Sequence, residues 1–331
     1  MAMNERYRAF SQRLVSETER FLTWRRVRKH RKLERLKQKS VILDWVEAFL
    51  WAALVVLLIN QYLLQAYQIP TGSMKDTLLV QDRVFVDKLV FGPELIPGMA
   101  KLPGFREPQR NEVVIFENPA YVSRGPAFEV LQRVIYMLTL SMVDIDRDEH
   151  GMPRAQFLIK RAVGVGHDRF RLRDGELQIL PQGEDGWMSE AAFQDKAEIS
   201  YPVNRMLDPE DYPAIRGGAV VSAYRDLGIG PPSFAREAMS ELRTVGYPDA
   251  IYFNKWRERT QLMAQPHDRS TRHAALRHEN GWYIPENGML MLGDNRDNSL
   301  DGRNFGPVDA GRVLGRGMIK YWPLNRFGPI E

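Results

Sequence analysis

Residues 45–67, WVEAFLWAALVVLLINQYLLQAY, are the most apolar part of the chain and determine how the rest is interpreted. All but four of these residues are apolar, and no charged residue occurs from Ala48 to Met74. About 20 consecutive apolar residues span a bilayer as one helix. Aromatic rings near both ends, such as Trp45 and Tyr67, prefer the level of the lipid headgroups. We therefore predict one transmembrane helix over residues 45–67.

An apolar segment of this kind has two other interpretations besides a membrane-spanning helix. A buried core helix is the first, but the length of the apolar run and the cationic segment before it argue against it. A cleaved signal peptide is the second, but its charged region would be far too long and no Ala-x-Ala follows. A second span over residues 130–143, VLQRVIYMLTLSMV, is too short and contains Arg133. The sequence thus favours a single retained anchor.

The net charge of +4 is unevenly distributed. Residues 1–40 contain 13 Lys or Arg and 4 Asp or Glu, a net of +9, so the remaining chain sums to −5. Because the basic residues run directly into the apolar segment, they indicate a membrane surface, and no nucleic acid partner is expected. The same excess of positive charge predicts a cytoplasmic N-terminus, with everything after Tyr67 on the outer side.

Composition removes several classes of site. The 331 residues include no cysteine, which excludes disulfides, thiolate nucleophiles and iron-sulfur clusters. The six histidines show no His-Glu-x-x-His spacing. With 44% apolar residues the chain can bury a sizeable core and is not disordered. We expect neither a metal nor a cofactor.

Beyond the anchor, short β-rich runs alternate with turn residues, which predicts a mainly β chain with an antiparallel β domain. The predicted strands cover residues 83–89, 112–117, 156–163, 169–173, 176–179, 289–292 and 317–321. Between residues 181 and 280 the composition becomes charged and compatible with helices, for example over 234–245 and 254–265. We predict a basic cytoplasmic segment over 1–44, a β domain over 68–180 and 281–331, and a mixed α/β inserted subdomain over 181–280.

Two segments contain residues suited to nucleophilic chemistry. Residues 69–74, IPTGSM, place Ser73 six residues beyond the anchor, and Gly72 permits a backbone that presents a hydroxyl. In residues 157–164, FLIKRAVG, Lys160 interrupts an apolar strand, and a desolvated ammonium loses its proton more easily. Taken separately, the first segment is also compatible with a linker, and the second with a strand lysine that faces water.

The third segment is GDNRDNSLDGR, residues 293–303. Asp297, Ser299 and Asp301 have the spacing of the first half of a calcium loop, but Val308 occupies the twelfth position, where a bidentate Glu is required. The segment therefore argues against a calcium site.

In this order, the three segments resemble those of the type I signal peptidases, which are membrane-anchored Ser/Lys proteases. The strand around DRVFVDK, residues 82–88, and the terminal YWPLN, residues 321–325, extend the resemblance. It implies that Ser73 is the nucleophile and Lys160 the general base. It also implies supporting roles for four other residues. Ser299 would orient the Lys160 amine, and Asp301 and Arg303 would form an ion pair. Thr71 would take part in stabilising the oxyanion.

In this scheme the Thr71 hydroxyl joins the Ser73 backbone N–H in an oxyanion hole. We assign the substrate-binding surface to Ile69, Met74, Val84 and Phe85. The sequence departs from the family where Gly166 and His167 replace a Pro-Gly turn, and where Gly302 takes a position often held by Ser. Residues 118–156 have no assigned role, and a membrane-facing flap is one hypothesis.

The resemblance implies a serine endopeptidase that removes signal peptides from exported preproteins after Ala-x-Ala sites, through an acyl-enzyme. The expected location is the bacterial cytoplasmic (inner) membrane, crossed once, with the catalytic domain on the outer, periplasmic side. The expected partners are signal peptides and the phospholipid membrane. Two alternatives stay open: a membrane-tethered Ser/Lys protease that acts on itself or on another membrane protein, and a non-catalytic β protein that binds anionic lipid or ribosomal RNA.

Overall fold

A computed structural model describes residues 15–29, 31, 41–95, 101–140, 142–149, 151, 154–173, 175–242, 245 and 249–330. The chain divides into two compact units, Met1–Val55 and Val56–Glu331. The second unit contains every residue that the sequence singles out for chemistry.

Nine helices lie in the described ranges, where they hold more residues than the strands do. They are α1 (15–29), α2 (Val41–Tyr62), α3 (Pro126–Leu138), α4 (Glu190–Lys196), α5 (Tyr212–Asp226), α6 (Ser233–Leu242), α7 (Ala250–Ala264), α8 (Arg269–Asn280) and α9 (Gly302–Phe305). The antiparallel β architecture is confirmed, but the prediction of a mainly β chain is wrong, because residues 190–280 are largely helical.

Helix α2 is, within the described ranges, the one helix long and apolar enough to cross a membrane. It begins and ends earlier than the predicted 45–67, because Leu64–Gln68 forms strand β1. These five residues pair with a neighbouring strand along their whole length, and that pairing outweighs their apolar, helix-compatible composition. The stretch that links the helix to Ser73 is therefore a strand.

The C-terminal end of α2 is tied to the body of the second unit. Lys88 Nζ donates to the carbonyl of Gln61 at 3.2 Å, and a lysine in this position satisfies an unpaired carbonyl of the last turn. Gln61 donates through Nε2 to Glu94 O at 2.9 Å, and the Tyr62 hydroxyl donates to Leu95 O at 3.0 Å. The last turn of the helix is thus fixed to two neighbouring segments.

A large antiparallel sheet forms the centre of the second unit. Its strands are β1 (Leu64–Gln68), β2 (Arg83–Asp87), β3 (Val113–Glu117), β4 (Phe157–Gly164), β9 (Gly288–Leu292), β10 (Val308–Asp309), β11 (Val313–Trp322) and β12 (Gly328–Pro329). Their order is β1-β2-β11-β3-β4-β9-β10, and β12 pairs with β11. β4, which carries Lys160, is therefore an interior strand.

The apolar run of β3 explains why this sheet is covered on both faces. Val113 and Ile115 join one core cluster, while Val114 and Phe116 join another. Since successive side chains of a strand point to opposite faces, the two clusters lie on opposite sides of the sheet. The cluster that contains Val113 also contains Ile69 and Met74, the residues that flank Ser73.

A second, four-stranded sheet follows β4 along the chain. It consists of β5 (Arg169–Arg173), β6 (Glu176–Leu180), β7 (Met188–Ser189) and β8 (Trp282–Tyr283), in the order β7-β6-β5-β8. Helices α5, α6 and α7 lie between β7 and β8 in sequence, and α5 packs against both of the others. The inserted subdomain over 181–280 stays a prediction.

The turn after β4 forms despite its departure from the family pattern. His167 adopts a φ of 70°, and the Asp168 carboxylate accepts the Val165 N–H at 3.0 Å. Asp168 also pairs with Arg110 at 2.6 Å. These contacts hold the turn, so the replacement of Pro-Gly leaves β4 intact.

Candidate active site

The structure brings Ser73 and Lys160 together from positions 87 residues apart in the chain. Lys160 Nζ donates to Ser73 Oγ at 2.7 Å and to the carbonyl of Ile159 at 3.0 Å. Ser73 is 6% exposed and Lys160 is 3% exposed. This geometry allows the hydroxyl proton to pass directly to a neutral lysine amine.

Ser73 lies in a short 3₁₀ turn, Gly72–Met74, which follows β1. The approach to the turn is fixed because Ile69 N–H donates to Asp82 O at 2.9 Å and its carbonyl accepts Gln81 N–H at 2.8 Å. The side chains of Ile69 and Met74 are buried on either side of the turn. The serine therefore sits on a fixed backbone.

Burial lowers the pKa of the Lys160 ammonium from 10.5 to about 8. Asp301 and Asp294 partly oppose this change, because nearby negative charge stabilises the ammonium, while the positive Arg303 assists it. A lysine with this pKa is partly neutral close to neutral pH, which is the state that a general base needs.

Asp301 and Arg303 form the expected ion pair, with Arg303 Nε 2.9 Å from Asp301 Oδ1. Burial pushes the pKa of Asp301 upward, but the charge and hydrogen bonds of Arg303 and the Gly293 N–H outweigh it, so this pKa is lowered. The Asp301 carboxylate also accepts the Arg303 N–H at 3.1 Å and caps α9. The pair thus places a fixed negative charge near Lys160.

Ser299 lies beside the site, but the structure does not place it on the lysine amine. Of the described residues, Ser73 Oγ and Ile159 O accept the hydrogen bonds of Lys160 Nζ, and Ser299 does not. The expected contact between Ser299 and Lys160 is therefore replaced by the bond to the Ile159 carbonyl. The role of Ser299 in orienting the Lys160 amine stays a prediction.

Gly293 allows the segment after β9 to approach the nucleophile closely. A Cβ at this position would lie 2.6 Å from the Ser73 carbonyl oxygen and would also overlap Ser299 Oγ. Two residues further on, Asn295 donates its N–H to Ser73 O at 3.0 Å and its Nδ2 to Gly72 O at 3.1 Å. Residues 293–295 thus hold the backbone of the serine turn in place.

Thr71 is exposed, and its hydroxyl donates to Ser73 Oγ at 3.4 Å. This distance places the hydroxyl next to the atom that would attack a substrate carbonyl. The position is compatible with the predicted oxyanion role, which stays a prediction.

The four residues assigned to substrate binding differ in their surroundings. Ile69, Met74 and Val84 are core residues, between 0% and 2% exposed, because their side chains pack beneath the serine turn. Phe85 is half-buried and stacks on Tyr321 with ring centres 4.2 Å apart. Of the four, Phe85 is the one whose side chain is partly exposed, and substrate binding by all four stays a prediction.

A buried network beside Ser73 and Lys160 was not predicted from the sequence. Arg161 donates to both carboxylate oxygens of Asp294 at 2.9 Å and to Thr77 Oγ1 at 3.1 Å. Thr77 in turn donates to Asp294 Oδ2 at 2.5 Å. The signal in the sequence was Arg161, a second cation beside Lys160 in an apolar strand. The spacing of the charged residues did not identify Asp294 as its partner.

Comparison with known proteins agrees with the resemblance found in the sequence. Residues 42–322 match the profile of the family described as signal peptidase, peptidase S26. Signal peptidase I of Buchnera aphidicola is 22% identical over 88% of this chain and 78% of that protein. The enzyme of the same name from Aquifex aeolicus is 24% identical over 84% of this chain and 82% of its own length. That of Haemophilus influenzae is 25% identical over 82% and 67%.

Proposed function

The chain belongs to the signal peptidase family, peptidase S26, and is a serine endopeptidase that cleaves signal peptides; from this premise we propose that Ser73 and Lys160 form its catalytic dyad. The observation that carries the proposal is the 2.7 Å contact between Lys160 Nζ and Ser73 Oγ. A pKa of about 8 for Lys160 supports it, because the neutral amine is then available.

In the first half of the reaction, Ser73 Oγ attacks the scissile carbonyl while the neutral Lys160 amine accepts the hydroxyl proton. The Ser73 backbone N–H and the Thr71 hydroxyl stabilise the resulting oxyanion. Lys160 then gives its proton to the departing amine, which leaves an acyl group on Ser73.

In the second half, Lys160 takes a proton from a water molecule, which attacks the ester carbonyl and releases Ser73. Asp301 and Arg303 support the site from behind the lysine. Ser299, which lies beside the site, helps to position the amine.

The substrate would bind in extended form and add to the edge of a sheet, with side chains entering shallow sites that accept small residues such as those of Ala-x-Ala. β1 supports this arrangement, because it lies at one end of the large sheet and ends five residues before Ser73.

We also propose that α2 anchors the enzyme in the bacterial cytoplasmic membrane. Its 22 residues extend about 33 Å, which matches the apolar thickness of a bilayer. The basic residues before it support a cytoplasmic N-terminus, with everything after Tyr67 on the periplasmic side.

The test is cleavage of a purified preprotein by the wild type, Ser73→Ala and Lys160→Ala, with the cut mapped by mass spectrometry. Matched controls are Ser123→Ala and Lys75→Ala, which change exposed residues of the same two types. We expect both dyad variants to be folded and inactive, and both controls to cut after Ala-x-Ala.

Cleavage that survives either dyad substitution would disprove the dyad. A wild type that cuts itself or another membrane protein, and spares preproteins, would favour the alternative Ser/Lys protease. A wild type without any peptidase activity would favour a lipid or RNA tether.

A further inference from the structure

Helix α3, Pro126–Leu138, has an inverted distribution of polar and apolar side chains. Gln132 and Arg133 are buried, at 7% and 6% exposed, whereas Val130, Leu131 and Leu138 are 50%, 54% and 41% exposed. A helix on a water-facing surface normally buries its apolar stripe and exposes its polar residues. The exposed side of α3 is therefore suited to apolar surroundings.

The buried polar side chains fix this orientation. Gln132 Nε2 donates to Asp144 Oδ1 at 2.9 Å, and Arg133 Nη1 donates to Glu94 Oε2 at 3.0 Å. The Arg133 guanidinium also lies 5.2 Å from the centre of the Phe157 ring. Rotating the helix to bury its leucines would break a buried ion pair and leave a charge unpaired, which is strongly unfavourable.

The apolar side continues past the end of the helix. Leu140, Met142 and Val143 are 43%, 61% and 45% exposed. Scattered single apolar residues are normal on a protein surface, but a continuous apolar patch indicates contact with a protein or a membrane.

The position of α3 distinguishes between these two partners. The helix and the last two turns of α2 line a common groove with a volume of about 240 Å³. Apolar residues from both sides line it, including Leu57 and Leu58 from α2, and Val130 and Val134 from α3. Because a helix rises 1.5 Å per residue, Leu57 lies about 7.5 Å below Tyr62 along α2.

An apolar surface that is continuous with the end of a spanning helix lies at the depth of the outer leaflet. Amphipathic helices at membrane surfaces bury their apolar face about 5–10 Å below the headgroup boundary, which agrees with the depth of the groove. The occupant that fits this position is lipid.

We propose that α3 is an interfacial helix that lies in the outer leaflet, with phospholipid acyl chains against Leu131 and Leu138 and in the groove beside α2. This inference rests on the proposed membrane anchor and gives the second unit another attachment to the bilayer. It also assigns a role to the segment over 118–156, which the family resemblance leaves unexplained.

The experiment exploits the absence of cysteine in the natural chain. An environment-sensitive fluorophore is attached to full-length Leu131→Cys, and separately to Leu138→Cys, in phosphatidylcholine and phosphatidylglycerol vesicles. The matched control is Ile229→Cys, since Ile229 is 51% exposed, lies between α5 and α6 in sequence and does not line the groove. Leu50→Cys, within α2, reports on the anchor itself. Preprotein cleavage by each labelled protein verifies its fold.

Iodide is present on both sides of the vesicles. We expect it to quench the labels at 131 and 138 at least about threefold less than the label at 229, because the apolar face of α3 lies below the headgroups. Doxyl-labelled lipids are expected to quench the labels at 131, 138 and 50, and to spare the label at 229.

Equal iodide quenching at 131 and 229, with protection at 50, would overturn the inference and leave the anchor standing. Loss of protection at 50 would overturn the anchor and the inference with it. Protection at 131 that requires an uncleavable signal peptide, without quenching by doxyl lipid, would assign the exposed apolar face of α3 to an apolar peptide and would also overturn the inference.

Discussion

Arg161 and Asp294 form an ion pair from which water is fully excluded, since both side chains are 0% exposed. Arg161 follows Lys160 in β4, and Asp294 follows Gly293, which lies against the turn that carries Ser73. The pair therefore connects the two segments that hold the dyad together.

Replacing Asp294 by alanine would leave the Arg161 guanidinium buried without its counter-charge. We expect Asp294→Ala to lower the free energy of unfolding by about 3–5 kcal/mol, the usual cost of breaking a buried pair. Denaturant unfolding of the purified protein measures this loss. Glu279→Ala, which removes an exposed acid, is the control, and a similarly small effect for both variants would contradict the prediction.

The pH dependence of cleavage follows from the lowered pKa of Lys160. Because the neutral amine is the base, kcat/KM should rise with pH and level off above a midpoint near 8. Asp301→Asn should move this midpoint to lower pH, since Asp301 raises the pKa of Lys160. The profile of Glu198→Gln, an exposed site, should stay unchanged. A midpoint near 10 in the wild type would show that the lysine is not desolvated during catalysis.

Lys160 should also reduce stability near neutral pH. The unfolded chain holds this proton up to about pH 10.5 and the folded chain only up to about 8, so wild-type stability rises with pH between these values. Lys160→Met lacks this dependence. We expect it to be the more stable protein at pH 7, by up to about 3 kcal/mol, and the advantage to shrink towards pH 10. Chemical denaturation at the two pH values tests this, and an equal difference at both would refute it.

Gly293→Ala should impair catalysis more than folding. The added methyl group would overlap Ser299 Oγ and approach the Ser73 carbonyl to 2.6 Å, so the serine turn must shift. We expect kcat to fall at least about tenfold, because a displacement near 1 Å is costly for a positioned nucleophile. Gly186→Ala, where a Cβ meets no atom within 4 Å, is the matched control. Unchanged kcat for Gly293→Ala would show that the loop moves without affecting Ser73.

Alternation of apolar residues with bounding turn residues predicted strands such as β2, β3 and β4, which carry strong local signals. It did not predict β1 or the two-residue strands β7, β8, β10 and β12, and it found only the second half of β11. The end of α2 was placed too late, since LLQAY is apolar enough for a helix and its strand character comes from pairing with β2. A second span over residues 130–143 was rejected from the sequence, and the described residues hold no candidate span there. The helix over Pro126–Leu138 was not predicted.

The site was predictable only in part. Family resemblance named Ser73 and Lys160, and their contact in the structure agrees with it. The partner of Arg161 lies 133 residues away, and the hydrogen bond from Lys160 to the Ile159 carbonyl depends on the side-chain conformation. Neither contact has a local sequence signal, because each is decided by tertiary packing.

The lysine cap on α2 has a consequence for substrate selection. Lys88 binds the last turn of the helix, and β1 then runs for about 17 Å from Leu64 to Gln68, which lies five residues before Ser73. Under the proposed anchoring by α2, Ser73 would lie within a short stretch of chain from the end of the membrane-spanning helix. A preprotein held in the same bilayer by its own apolar segment would be cut only where its chain reaches Ser73, so distance from the membrane would select the bond together with side-chain size.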